Sequence, residues 1–338
     1  MKCFLVAAQL LAIVAGNFTN QPWEHKCDPG SEIYACTVAN FLYRPGRIHS
    51  TLQMPVTVRK VRLAHPPSKV LLERNTILAY DAVLHTSLHR PKAVQIRFTT
   101  LEYVEISVDL EYADFHGNSI KALAAPEVGE VPYALRYLDV SGNKLETIAN
   151  FSTLVRLETL LLTNNYLATV DGSVLRRLTQ LSGLHVGSNM LEQFPLADLP
   201  GTLEWLVLRM NLLTPMNLTG VQLPALQVLS LAHNYYDEPD VEDLLVVAPK
   251  LKVLLLAGND IAKELALKIA DTLRHAGVAV DKLTPSEDAY EEEMQDHYRS
   301  SQMHEVREHI FATLLAIGNG CVMVWGGFRV YRARYSQQ

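Results

Sequence analysis

An asparagine recurs along this chain at Asn118, Asn143, Asn165, Asn189, Asn211, Asn234 and Asn259, in steps of 25, 22, 24, 22, 23 and 25 residues. Each stands in the same frame of apolar neighbours. Leu135, Leu138, Val140, Asn143 and Leu145 set the pattern, and Leu157, Leu160, Leu162, Asn165 and Leu167 repeat it. Copies follow at Leu181, Leu203, Leu226 and Leu251, and Leu110, Ala113, Phe115, Asn118 and Ile120 form an earlier one. The chain holds 52 leucines, and 32 of them fall between Leu135 and Leu256.

Seven copies of L-x-x-L-x-L-x-x-N-x-L at this spacing are the leucine-rich repeat, whose period is roughly 20 to 29 residues. The expected fold is an α/β solenoid, a horseshoe with a parallel sheet on its concave side. The L-x-L alternation makes a short strand with its leucines on one face. One repeat cannot bury that face, whereas stacked repeats share a continuous core. The asparagine amide is placed to satisfy backbone groups of the tight turn after the strand. These leucines and asparagines are therefore structural. Before Leu110 the pattern degrades: Val58, Val61 and Leu63 look like one strand, and Ala93, Ile96, Phe98, Leu101 and Tyr103 like another. After Asn259, the stretch from Glu264 to His275 has helical character, Gly277 ends it, and Val278 to Val280 gives a last strand.

The ends of the chain read differently. Lys2, the apolar run from Phe4 to Ala15 and the small Gly16 describe a secretory signal over residues 1–16. A second apolar segment, 310–328, has no charged residue and at about 1.5 Å per residue nearly matches a bilayer core. Arg329, Arg332 and Arg334 follow it, whereas an acidic stretch precedes it, so the basic flank lies inside and the bulk of the chain outside. The layout expected is a single-pass, type I plasma-membrane protein with an extracellular ectodomain. Residues 17–57 form an N-terminal cap, 58–284 the solenoid with its C-terminal cap, 285–309 an acidic stalk, and 329–338 a short tail. Ala312, Ala316 and Gly320 share one face of the span, which permits close helix approach and so homo- or hetero-oligomers.

With Cys3 in the signal and Cys321 in the span, Cys27 and Cys36 are left to form one disulfide in an oxidising compartment. Asn17, Asn150 and Asn217 are glycosylation acceptors. Spacing places Asn150 and Asn217 past the strands, toward the outer side of the arc. A net charge of −6 excludes a basic nucleic-acid surface. Setting aside Lys2 and the three tail arginines brings residues 17–309 to −10. Catalytic signatures are missing. His304 and His309 are one residue too far apart for a zinc-binding H-E-x-x-H, His85 and His89 lack a neighbouring acid, and no phosphate or nucleotide loop occurs. A non-enzymatic protein with no cofactor and no metal is expected.

The remaining strand positions project onto the concave face, the usual binding surface of a solenoid. The candidates for partner binding are Tyr112, Asp114, His116, Tyr137, Asp139, Leu161, His185, Trp205, Val207, Arg209, Ser230 and Leu255. Tyrosine, tryptophan and arginine are enriched in interface hot spots. Through the signal, the Cys27/Cys36 segment, the ladder from Asn118 to Asn259 and the cap at Gly277 to Val280, the chain resembles the leucine-rich repeat immune proteins of mosquitoes, the LRIM-type family, in its membrane-anchored subset. That resemblance implies innate immunity and an extracellular protein partner such as a complement-like protein. A cell-adhesion or developmental protein, or a direct binder of microbial surfaces, would share the same build.

Overall fold

The computed structural model describes residues 23–29, 35–39, 41, 43–45, 50–64, 77–127, 129, 131–281 and 283. The expected signal, the Asn17 acceptor, the stalk, the membrane span and the tail lie outside these residues. Among the described residues, no helix is long and apolar enough to cross a membrane.

One sheet of 12 strands runs the length of the solenoid, from Asp28–Pro29 at one end to Ala279–Val280 at the other. Neighbouring strands are parallel, except that Asp28–Pro29 pairs antiparallel with Cys36–Ala39. The repeats stay in strict register: Leu138 is beside Leu160, Leu160 beside Leu184, and Leu184 beside Leu206. These central leucines are fully buried. Most strands are three residues long, because only L-x-L alternates before the asparagine turn begins.

The asparagines stitch the repeats together. Asn189 Oδ1 accepts from Leu167 N at 3.0 Å, and its Nδ2 donates to Leu162 O and Val186 O at 3.1 and 3.0 Å. Asn143, Asn165, Asn211 and Asn234 make the same set, each reaching back into the preceding repeat. The residue just before each asparagine is left-handed. That place is held by Gly117, Gly142 and Gly258, but also by Asn164, Ser188, Met210 and His233, and Phe98 is left-handed in the same way before Thr99. Gly117 is required twice over: its φ is +69°, and a Cβ there would lie 2.5 Å from the Phe98 ring.

The early repeats depart from the sequence reading. The sheet pairs Val61 with Val94 and Val94 with Ala113, so this repeat begins at Pro91, two residues before the expected frame. Val94, Ile96 and Leu101 are buried, and Phe98 is exposed on the left-handed turn. Burying Val94 and Ile96 turns Gln95 and Arg97 outward. Thr99 takes the asparagine's place, and its N and Oγ1 donate to Asn118 Oδ1 at 2.9 and 2.7 Å. Cys36–Ala39 also joins the sheet, beside Lys60–Ala64.

The return segments vary. In the early repeats, Ala79–Tyr80, Tyr103–Glu105 and Ala122–Ala124 form a second, three-stranded parallel sheet. Later repeats return through short helices, Gly172–Arg177 and Val241–Val247. The helix Lys263–His275 then covers the end of the core with Ala266, Ile269 and Leu273, and Gly277 follows it.

Candidate functional site

The strand positions between the buried leucines form three parallel rows across the concave face. The first runs Tyr112, Tyr137, Thr159, Gly183, Trp205, Val228 and Val253, each beside the next across the sheet. The second runs Asp114, Asp139, Leu161, His185, Val207, Ser230 and Leu255. His116, Ser141, Thr163, Gly187, Arg209 and Ala232 stand two residues further along each strand. Register thus places the twelve candidate residues on one face.

The N-terminal half is polar and internally tied. Asp114 is fully buried, yet its carboxyl stays below the usual range. Burial pushes it upward, but the Arg97 charge and hydrogen bonds from Arg97, Gln95 and His116 N outweigh that. Arg97 Nε and Gln95 Nε2 donate to Oδ2 at 2.7 and 2.8 Å, and Arg62 Nε donates to Gln95 Oε1 at 2.5 Å. Asp139 Oδ1 accepts from Ser141 N at 2.9 Å. Beside this network the Tyr112 and Tyr137 rings stack, 4.3 Å between centroids and 4° from parallel. Burial, followed by the Asp114 charge, raises the Tyr112 hydroxyl well above its ordinary range.

Toward the C-terminal end the face becomes apolar. Leu161 is buried, while Val207, Val228, Val253 and Leu255 are partly exposed. Arg209 lies across Gly187, where a Cβ would sit 3.1 Å from its Cγ. Burial of the guanidinium there lowers its pKa. Between the Tyr137 and Trp205 strands stand only Thr159 and Gly183 in the first row. Thr159 Oγ1 and, further along, Ser230 Oγ are buried without a hydrogen-bond partner among the described residues. Such groups are costly unless something else bonds to them.

Sequence reasoning missed Arg62, Gln95 and Arg97, which project onto the same face. Alternation alone could have found them, since Arg62 lies between Val61 and Leu63 and Gln95 and Arg97 flank Ile96. It also denied His85 an acid. His85 Nε2 lies 3.0 Å from Asp109 Oδ1, contributed from 24 residues along the chain, and its Nδ1 is 2.6 Å from the Tyr80 hydroxyl. Tyr80 and His85 are buried, so this cluster ties the helix Ala82–Ser87 to the next turn. Among the described residues no group of three metal-capable side chains converges.

Cys27 and Cys36 are disulfide-bonded, with Cα atoms 5.4 Å apart. Asn150 and Asn217 lie on return segments, away from the strands. Asn217 is exposed and accepts from Thr219 N at 2.9 Å, whereas Asn150 Nδ2 donates to Leu123 O at 3.0 Å.

No protein-family profile matches the chain. It is similar to nephrocan of Mus musculus, 36% identical over 132 residues that make up 38% of this chain, and it spans only 25% of that protein's length. Among solved structures, an internalin (inlF) of Listeria monocytogenes str. 4b F2365 aligns over 68% of this chain and 69% of its own, at 17% identity and a TM-score of 0.45. An internalin C2 (inlC2) of the same strain aligns over 60% of this chain and 84% of its own, at 21% identity and a TM-score of 0.46. The period of the motif, the parallel sheet in strict register and the hydrogen-bonded asparagine ladder together make this chain a leucine-rich repeat protein.

Proposed function

We propose that the chain is a cell-surface recognition protein of innate immunity that holds an extracellular protein partner on its concave face. The observation that carries this reading is the row Tyr137, Thr159, Gly183, Trp205, in which two aromatic residues flank two small ones above a buried hydroxyl with no partner among the described residues. Large anchors beside a low floor suit the insertion of a partner side chain. The apolar residues from Val207 to Leu255 extend the surface, and the bonded Asp114 and Arg97 pair holds its polar end in place. In this reading the chain is secreted through its signal, anchored by residues 310–328 with the ectodomain outside, and glycosylated at Asn17, Asn150 and Asn217. A complement-like protein is the partner class that the mosquito immune resemblance suggests.

The test is capture of extracellular protein from haemolymph by the full chain. Trp205→Ala and Arg209→Ala should each reduce capture about tenfold or more, as hot-spot truncations do, with thermal unfolding unchanged. Capture that survives both substitutions would remove the concave-face reading. Knockdown should alter pathogen survival while tissues develop normally. Patterning or adhesion defects would instead assign the protein to development.

A further inference from the structure

A second surface runs along the edge of the solenoid, one residue beyond each asparagine from Asn143 to Asn259. There the side chains are Lys144, Tyr166, Met190, Leu212, Tyr235 and Asp260, one per consecutive repeat. Backbone bonds fix their register: Tyr166 N donates to Leu145 O, Met190 N to Leu167 O, Leu212 N to Leu191 O and Tyr235 N to Leu213 O, at 2.8 to 2.9 Å. The four apolar side chains are 50%, 46%, 39% and 54% exposed in that order. Lys144 and Asp260 are exposed and have no ion-pair partner among the described residues. Single exposed apolar residues are ordinary on a protein surface. Four in adjacent repeats, closed by opposite charges, form a contiguous stripe, and such stripes mark interaction surfaces.

We infer that this stripe is the contact of a two-fold homodimer. The occupant is a second copy because the stripe is complementary to itself when reversed. A two-fold axis between Met190 and Leu212 sets Tyr166 against Tyr235 of the second copy, Met190 against Leu212, and Lys144 against Asp260. Every pair then occurs twice, as an isologous interface requires. At about 4.8 Å between strands, the six residues extend over about 24 Å.

The next exposed positions, two residues further along each turn, obey the same reversal. They are Glu146, Ala168, Glu192, Thr214, Asp237 and Ala262. Reversed, Glu146 faces Ala262, Ala168 faces Asp237, and Glu192 faces Thr214. No acid meets an acid in this set, although the chain is acidic overall. Alignment of the two copies in the same direction would instead set Glu146, Glu192 and Asp237 against themselves. The contact leaves both concave faces uncovered, so it is independent of partner binding there.

The test is charge reversal within one chain, using the full chain in detergent at low salt and sedimentation to measure self-association. Lys144→Glu alone, or Asp260→Lys alone, turns both end contacts repulsive and should weaken the dimer about tenfold. The double variant restores opposite charges in both contacts and should recover wild-type association. Leu212→Asp should abolish it. All three positions are exposed on the native turns, so thermal unfolding should not change. A monomeric wild type, single reversals without effect, or a double variant no better than the singles would each overturn the proposal. A dimer that survives Leu212→Asp would place association elsewhere and overturn it too.

Discussion

At the scale of single residues, the asparagine does more for this fold than any one leucine. A leucine fills space in a shared core. Asn189 satisfies the buried Leu167 N, and it shares the buried carbonyls of Leu162 and Val186 with Asn165 and Asn211. Each buried group left unpaired costs about 1–3 kcal/mol. Asn189→Ala leaves Leu167 N unpaired and should therefore destabilise the chain by about 1–3 kcal/mol in denaturant unfolding. Asn189→Asp should be no better, because it keeps the acceptor for Leu167 N but sets a negative charge against two carbonyl oxygens. A loss under about 1 kcal/mol for the alanine variant would show that the ladder is dispensable.

At the scale of elements, the His85 cluster joins a helix to the following turn. Asp109 can only accept, so Nε2 of the neutral imidazole carries the proton and Nδ1 accepts from the Tyr80 hydroxyl. Burial lowers the imidazole pKa below 6.5, with help from Arg90 and Lys92, and Asp109 offsets this only in part. As pH falls below 6.5, the unfolded chain protonates before the folded one. His85 thus contributes stability that is present above 6.5 and is lost as pH drops toward its folded pKa. Stability measured against pH should show this slope, and His85→Gln should flatten it. An unchanged slope in the variant would assign the acid sensitivity to other groups. This cluster was not legible in the sequence, because Asp109 is brought to His85 only by stacking one repeat on the next. The repeats from Leu110 onward were legible, since each carries its own L-x-L and asparagine. The repeat at Pro91 was misread because Thr99 stands where the asparagine should be, and Phe98 offered a false apolar frame. The concave rows followed from the alternation alone. What fills the return segments did not: a strand at Tyr103–Glu105 and a helix at Gly172–Arg177 answer to the same frame of leucines.

At the scale of the whole molecule, a repeat array has no natural end, since each repeat is bonded only to its neighbours. Here the last full strand, Val253–Leu255, is finished by a carboxylate. Asp281 Oδ1 accepts from Leu256 N at 2.8 Å and Oδ2 from Ala257 N at 3.0 Å. In the preceding repeat Leu231 N, the counterpart of Leu256 N, bonds instead to the backbone of Leu255, and His233 N bonds to that of Ala257. Asp281→Ala should speed hydrogen exchange at Leu256 and Ala257 about tenfold or more, and leave Leu231 and His233 as they were. Equal rates in variant and wild type would mean that the carboxylate is not what protects this edge. At the opposite end, Asp28–Pro29 turns back antiparallel, and Pro29 has no N–H to offer. Open at both ends, a stack like this would present the template of its own next repeat, and copies could add head to tail without limit as a filament. The last strand, Ala279–Val280, is only two residues long, and the side-chain oxygens of Asp281 take the amides just beyond its pairing with Val253–Leu254. So short an edge offers a copy little backbone to pair with, and the shortness of the last strand keeps the molecule finite.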